Sequence, residues 1–273
     1  IHWIVAILAG MIGGMLWGFI PGIFKSLLNV NEVITSIMTN YIGMYLVDML
    51  IRSNEAMYIP SMTRTKYIPQ HVQIRSLGIA GSNVNFGVIF AILIAIVLYI
   101  ILQKTTFGYE LKATGYNKYA AEYAGMNGKR NIILTMVIAG ALSGLGGAFA
   151  ILAPSEIIGS SMTYEPINVI AVNGFNGIAV ALLGNSHPIG TIFSALFISY
   201  IQRGGTLASL VGYKPEIIDL VISVIIYFSA FAAIMSSALG RFITRKNKKE
   251  KIVSNTQSVG NIEADINNKE AEK

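Results

Sequence analysis

The sequence has no cysteine and few charges for its length. The absence of cysteine excludes disulfide bonds and thiolate metal sites. Charged residues make up 12% of the 273 residues, against about 25% in soluble domains, while 53% are hydrophobic. Long segments without Asp, Glu, Lys or Arg include 76–103, 131–155, 166–202 and 220–240. A bilayer core needs about 20 such residues per helix, so the sequence predicts an all-α, polytopic membrane protein.

Hydropathy predicts seven membrane crossings within a transmembrane domain that covers residues 1–240. They are 1–24, 31–50, 84–103, 131–152, 166–183, 188–203 and 216–239. The fifth and sixth form one uncharged block broken at 184–188, which fits either two short crossings or one re-entrant pair. Because the chain begins at Ile1 inside an apolar run, without the charged start of a signal peptide, we also expect earlier spans to be missing.

Lys and Arg are concentrated in alternate loops between these spans. Lys25, the segment 104–130 and the basic juxtamembrane segment 241–251 hold most of them, which predicts that these loops and the C terminus are cytoplasmic. The net charge of +6 lies at the edges of apolar segments, so anionic lipid headgroups explain it and no nucleic-acid partner is expected. The polar tail 252–273 is predicted to be disordered.

Glycines of the first and fourth spans are similarly spaced. Ala9-Gly10 with Gly13, Gly14, Gly18 and Pro21 resembles Ala139-Gly140 with Gly144, Gly146, Gly147 and Pro154. The predicted spans run in opposite directions, so one interpretation is an inverted repeat, as in transporters. The other is that small residues let membrane helices pack closely.

Polar residues inside two apolar segments predict a substrate path. The run Asn173-Gly174-Phe175-Asn176-Gly177 predicts a discontinuous helix, which membranes tolerate only inside protein or beside water. Asn40 and Tyr41 lie in the second span, where an amide facing lipid is costly. The predicted path residues are Asn40, Tyr41, Asn173, Phe175 and Asn176. A kink satisfied by a neighbouring helix and interhelical hydrogen bonds are the alternatives.

The polar segment 104–130 predicts a short helix. Asn117 is a good cap for a helix over 118–124, and Gly125 stands where helices commonly end. Ala120, Ala121 and Ala124 would share one small-residue face. That face, beside tyrosines, suits insertion into a groove on another protein, and a helix lying on the membrane surface is the alternative.

The same segment resembles a known signature. Its residues match the pattern G-x-x-L-[KR]-A-x-G-x-N-x-x-A-A-x-x-A-G of permease subunits in bacterial ABC importers, in the branch containing ribose, branched-chain amino acid and nucleoside permeases. The segments 30–41 and 174–190 also look like simple-sugar and nucleoside permeases. The resemblance implies a coupling helix that docks into a cytoplasmic ATPase, carried by Gly108, Glu110, Leu111, Ala113, Gly115, Asn117, Ala120, Ala121, Ala124 and Gly125.

This resemblance also implies partners: a cytoplasmic ABC ATPase, a second permease subunit and an extracytoplasmic substrate-binding lipoprotein, with the chain in the plasma membrane. We therefore predict the permease subunit of an importer for nucleosides or related simple sugars. An ion-coupled secondary transporter is the alternative, although carboxylates are scarce in the predicted spans. A membrane-embedded enzyme and a scaffold are weaker rivals.

Motifs for nucleotide binding and for metal binding are missing from the sequence. The sequence has no G-x-x-x-x-G-K-[ST] motif for nucleotide phosphates, so we expect no enzymatic activity and no cofactor in this chain, with ATP and Mg²⁺ used by the partner. His2, His71 and His187 lack metal-ligand spacing, so no metal site is expected.

Overall fold

The structure is a computed structural model. It describes residues 2–69, 71–74, 84–153, 163–167, 173–209 and, further on, 211–212, 214, 217–218, 220–229, 231 and 235. The predicted tail 252–273 and the basic segment 241–251 lie outside the described residues. The chain divides into two compact units, 1–174 and 175–273, and each is considered by itself.

Helices make up most of the described chain. In the first unit they are α1 (His2–Leu28), α2 (Glu32–Arg52), α3 (Phe86–Lys104), α4 (Thr106–Tyr116), α5 (Lys118–Tyr123) and α6 (Gly128–Leu152). A hairpin of β1 (Tyr58–Ile59) and β2 (Arg64–Thr65), joined by a 3-10 turn at Pro60–Met62, follows α2. The helices α7 (Asn173–Leu183) and α8 (Pro188–Ser209) come next, followed by the short α9 (Leu220–Ser229).

Four of the predicted crossings are confirmed. In the described part of the chain, α1, α2, α3 and α6 are each long and apolar enough to cross a membrane, which makes this a multi-pass membrane protein. The predicted fifth and sixth crossings qualify only as a pair, α7 and α8, bent by 117°. α7 alone is about 16 Å long at 1.5 Å per residue, too short for a bilayer. The described part of the seventh, α9, is also short, so seven separate crossings are not confirmed.

The predicted break at Asn173–Gly177 does not interrupt the described helix. α7 is continuous from Asn173 to Leu183, and residues 168–172 lie outside the described residues. The interruption follows Leu183, where Asn185 and Ser186 both adopt positive φ.

α1 and α6 pack antiparallel through their glycines. Gly10 of α1 lies against Gly144 and Ala148 of α6, and Gly18 lies further along, against Met136 and Gly140. A Cβ atom built on Gly18 would stand 2.6 Å from the Met136 carbonyl oxygen. The similar glycine spacing in the two segments therefore has a direct explanation, since each set accommodates the other. The inverted repeat remains a prediction.

The two ends of this helix pair carry different structures. At one end, the Ser26 hydroxyl of α1 donates to the Lys129 carbonyl of α6 (2.9 Å) and Lys25 pairs with Glu32 (2.6 Å). At the other, the Ile74 amide donates to the Leu152 carbonyl (2.9 Å). We call these the α5 end and the hairpin end. Lys25 and the segment 104–130 thus share one end, as the loop alternation predicted.

Tyr164 joins α2 to the hairpin end. Its hydroxyl donates to the Asp48 carboxylate at 2.6 Å. Its backbone amide donates to the Thr65 hydroxyl, and its carbonyl accepts from the Thr65 amide. Asp48 is only 2% exposed, and Arg52 donates to the Pro166 carbonyl. Burial, with the Asp48 charge, raises the pKa of the Tyr164 phenol to about 12. The short segment 163–167 is therefore bound to α2 by a contact between a phenol and a buried carboxylate.

Tyr164→Phe is expected to lower the free energy of unfolding by about 1–3 kcal/mol, because a buried carboxylate loses a donor. The folded phenol titrates above its unfolded value, so this contribution is intact below about pH 10 and is lost between about pH 10 and 12. The difference in alkaline absorbance titration between wild type and variant should show a midpoint near 12. Tyr67→Phe, at an exposed tyrosine, is the control. A difference midpoint near 10 would contradict the contact.

Candidate coupling surface

The α3–α4 corner sets the start of the polar segment. The Thr105 hydroxyl caps α4 by accepting from the Gly108 amide at 3.1 Å. Gly108 is buried against the last turn of α3, where a Cβ would stand 2.6 Å from the Leu102 Cα atom. Only glycine allows this approach, so the first residue of the sequence signature serves the turn between two helices.

α5 has the predicted caps. The Asn117 side chain accepts from the Ala120 amide at 3.1 Å. At the other end Gly125 has φ +83, and its amide donates to the Glu122 carbonyl while the Met126 amide donates to that of Ala121. This pair of bonds is a Schellman motif, which satisfies the last carbonyls of the helix. The predicted helix from 118 is confirmed, and it ends at Tyr123.

α4 was not anticipated from the sequence, and it is fixed to α6 by a buried polar contact. The Asn131 amide of α6 donates to the Thr114 hydroxyl at 3.0 Å, and that hydroxyl donates to the Glu110 carbonyl at 2.8 Å. Asn131 and Thr114 are both buried. This buried contact joins α4 to the membrane helix α6. No spacing rule links two residues 17 apart, so sequence reasoning missed this pair.

Thr114→Val is expected to destabilise the α4–α6 contact by about 1–3 kcal/mol, because the Asn131 amide stays buried without this acceptor. Hydrogen–deuterium exchange of residues 106–123 should accelerate while exchange in α1 stays unchanged. Thr106→Val, the same change at an exposed position of α4, is the matched control. Equal exchange in both variants would show that the contact does not hold α4.

The outward surface of α4 and α5 is aromatic. Tyr123 is 95% exposed and Tyr116 91%, with Tyr109 and Tyr119 also exposed. Ala120 and Ala124 lie exposed among them. Ala121 is different, because it is 3% exposed and faces inward. The predicted face of three alanines therefore does not form: the surface has two alanines framed by tyrosines, which we call the tyrosine surface (Tyr116, Tyr119, Ala120, Tyr123 and Ala124).

The ten predicted coupling residues fall into two groups. Those that build the element are Gly108 and Ala121, which are buried, and Glu110, Leu111 and Ala113, which are half-buried. Gly115, Asn117, Ala120, Ala124 and Gly125 are exposed. Contact with a partner is available only to the second group and to the tyrosines. The tyrosines were outside the predicted set, although Tyr119 and Tyr123 are four residues apart and therefore lie on one face of α5.

The predicted path residues are in different units. Asn40 and Tyr41 are exposed on α2 in the first unit, while Phe175 is exposed and Asn176 half-buried at the start of α7 in the second. The Asn173 side chain lies outside the described residues. Within the described residues, no three His, Cys, Asp or Glu side chains form a group that could hold a metal ion.

Comparisons with known proteins identify the family of the chain. Residues 1–230 match the family model described as the branched-chain amino acid transport system / permease component. The chain is 38% identical over 243 residues to the nucleoside ABC transporter permease protein NupB of Lactococcus lactis, covering 86% of this chain and 65% of that protein. It is 34% identical over 255 residues to the guanosine ABC transporter permease protein NupP of Bacillus subtilis, covering 92% and 69%.

More distant similarity extends to sugar permeases. The glucose ABC transporter permease protein TsgB13 of Haloferax volcanii is 25% identical over 237 residues, which cover 81% of this chain and 59% of that protein. The chain thus spans about two thirds of the length of these curated relatives. No solved structure matches it. With a family match over 230 residues and a multi-pass helical fold, the chain belongs to the branched-chain amino acid transport system / permease component family.

Proposed function

We propose that this chain is the permease subunit of an ABC importer in the plasma membrane, with the α5 end and the C terminus in the cytoplasm. The observation that carries the proposal is the α4–α5 element. It is capped at each helix start, tied to α6 through Asn131, and ends in an exposed tyrosine surface. Such a rigid projection transmits a partner's movement to a membrane helix, which a loop without caps does not.

The tyrosine surface is the proposed docking site for a cytoplasmic ABC ATPase. Tyrosines give large contact area at low entropic cost and are enriched where binding energy is concentrated. The exposed small residues Gly115, Ala120 and Ala124 let the element enter a cleft. ATP and Mg²⁺ would be used in that partner. A second permease subunit and an external substrate-binding lipoprotein complete the proposed assembly.

Nucleosides are the proposed substrates, because two relatives above 30% identity are named for nucleoside or guanosine transport. Simple sugars are the broader class, since a relative at 25% identity is named for glucose. Asn40, Tyr41, Asn173, Phe175 and Asn176 are the proposed path residues. Amides and aromatic rings can hydrogen-bond to and stack on a neutral, polar ring system.

The test is uptake of labelled guanosine by proteoliposomes that contain the whole complex, purified through a tag on this chain. We expect an ATPase to co-purify and uptake to require ATP inside the vesicles. Uptake that proceeds without ATP and collapses with an ion gradient would overturn the proposal in favour of secondary transport. Excess unlabelled glucose serves as the specificity control.

Alanine replacement of Asn40, Phe175 or Asn176 is expected to lower guanosine uptake at least about tenfold, the equivalent of 1.4 kcal/mol in the transition state. Assembly should persist, because Asn40 and Phe175 are exposed and Asn176 is half-buried. Thr63→Ala, at an exposed turn of the hairpin, is the control. Normal uptake in all three variants would remove these residues from the path.

A further inference from the structure

An apolar groove of about 540 Å³ opens between α3, α4 and α6 at the α5 end. Its walls include Leu98 and Leu102 of α3, Phe107 and Leu111 of α4, and Ile138 and Leu142 of α6. The volume lies within the usual range of ligand sites, about 300–1,000 Å³. The groove begins at the last two turns of a membrane-spanning helix, so it lies where hydrocarbon gives way to headgroups.

The lining of the groove provides few hydrogen-bonding groups for a polar ligand. Two threonines line it, and both hydroxyls already donate to their own helix: Thr105 to the Ile101 carbonyl and Thr135 to the Asn131 carbonyl. The remaining lining residues are apolar. A sugar or nucleoside would therefore lose hydrogen bonds to water without replacement, which is unfavourable. The matching occupant is a hydrocarbon chain.

Two exposed lysines are sequence neighbours of residues that line the groove. Lys104 precedes Thr105 and Lys112 follows Leu111. Lys112 donates to the Gln103 side chain at 2.7 Å, which places an ammonium group across the α3–α4 corner. Neither lysine forms an ion pair with a carboxylate of the described residues. The segment 104–130 also carries more Lys and Arg than Asp and Glu. A basic site between membrane helices is typical of anionic lipid headgroup binding.

We propose that this groove binds one acyl chain of an anionic phospholipid, with the lipid phosphate at Lys104 and Lys112. The lipid would fill space between α3, α6 and the α4 wall, and would thereby hold α4 against the membrane helices. The residues that line the groove lie outside the tyrosine surface and the proposed substrate path, so lipid binding is independent of substrate and of ATPase docking.

The test uses phosphatidylglycerol that carries a photoactivatable group in its acyl chain. The purified full chain in detergent is irradiated with this lipid and the labelled peptides are mapped by mass spectrometry. We expect labels within 98–111 and 135–142, and competition at least about fivefold stronger by unlabelled phosphatidylglycerol than by phosphatidylcholine with the same chains. Lys104→Gln and Lys112→Gln should each weaken binding about fivefold, the effect of one lysine near an anionic surface.

Filling the groove separates specific binding from general contact with lipid. Ala139 lines the groove, so Ala139→Phe should abolish the labels at 98–111. Ala150→Phe, at an exposed position of the same helix α6 outside the groove, should leave them unchanged. Equal competition by both lipids, or labels that survive Ala139→Phe, would overturn the proposal. It would also be overturned if the groove cross-linked in native membranes to a protein helix instead of lipid.

Discussion

Gly14→Ala should destabilise the protein, whereas Gly13→Ala, one residue away, should not. A Cβ at Gly14 would stand 3.0 Å from the Gly144 Cα atom and still closer to the Gly140 carbonyl oxygen. Both are backbone atoms, so α1 and α6 must separate to admit one methyl group. Overpacking of this kind costs about 1–3 kcal/mol, and Gly14→Leu should exceed that range.

The neighbouring glycine supplies the matched control. A Cβ at Gly13 would meet no atom within 4 Å. Alanine favours a helix over glycine by about 0.8–1.0 kcal/mol, so Gly13→Ala should be neutral or slightly stabilising. The two variants have the same composition and helix and differ only in the face they change. A difference between them therefore measures contact with α6.

Unfolding in mixed detergent micelles titrated with dodecyl sulfate provides the measurement, with size-exclusion chromatography to check that each variant starts monodisperse. Equal unfolding midpoints for Gly14→Ala and Gly13→Ala would show that α1 and α6 do not pack through these glycines. The structural explanation of the similar glycine spacing would then fail, and the inverted repeat would be the better account.

Gly115→Trp is expected to remove the ATPase from the purified complex and to lower guanosine uptake below about a tenth of wild type. Gly115 is exposed in the last turn of α4, and a Cβ there would meet no atom within 4 Å. The indole therefore does not disturb the fold of this chain, but it blocks entry into a partner's cleft. Obstruction at the centre of an interface costs about 2 kcal/mol or more, about thirtyfold in affinity.

Two further variants make that result specific. Ser61→Trp adds the same side chain at an exposed turn of the hairpin end and should leave the ATPase bound. Ala121→Asp should also lose the ATPase, but for another reason, because Ala121 is buried and α5 would unfold. Hydrogen–deuterium exchange distinguishes them: α5 stays protected in Gly115→Trp and loses protection in Ala121→Asp. An ATPase retained by Gly115→Trp would contradict docking through this element.

Local features of the sequence predicted local structure well. Uncharged length was enough for α1, α3 and α6, because a bilayer sets one minimum for every spanning helix, and hydropathy identified α2 despite its charges. The caps of α5 could be predicted from the sequence because Asn117 and Gly125 act on backbone groups within three or four residues. Polarity at Asn173–Gly177 predicted a break within that run, whereas the described helix α7 is continuous there and the chain bends after Leu183. The sequence did not predict α4 because charges and glycines interrupt its apolar pattern.

The sequence by itself determined that this is a multi-pass helical membrane protein with a capped polar element between two spans, since hydrophobic length and capping chemistry are properties of neighbouring residues. Tertiary structure decided which side of each helix is buried and which is exposed. It buried Ala121 while exposing Tyr116 and Tyr123, and it joined Thr114 to Asn131 and Asp48 to Tyr164. These outcomes depend on contacts between distant segments, which packing geometry sets and no local pattern contains.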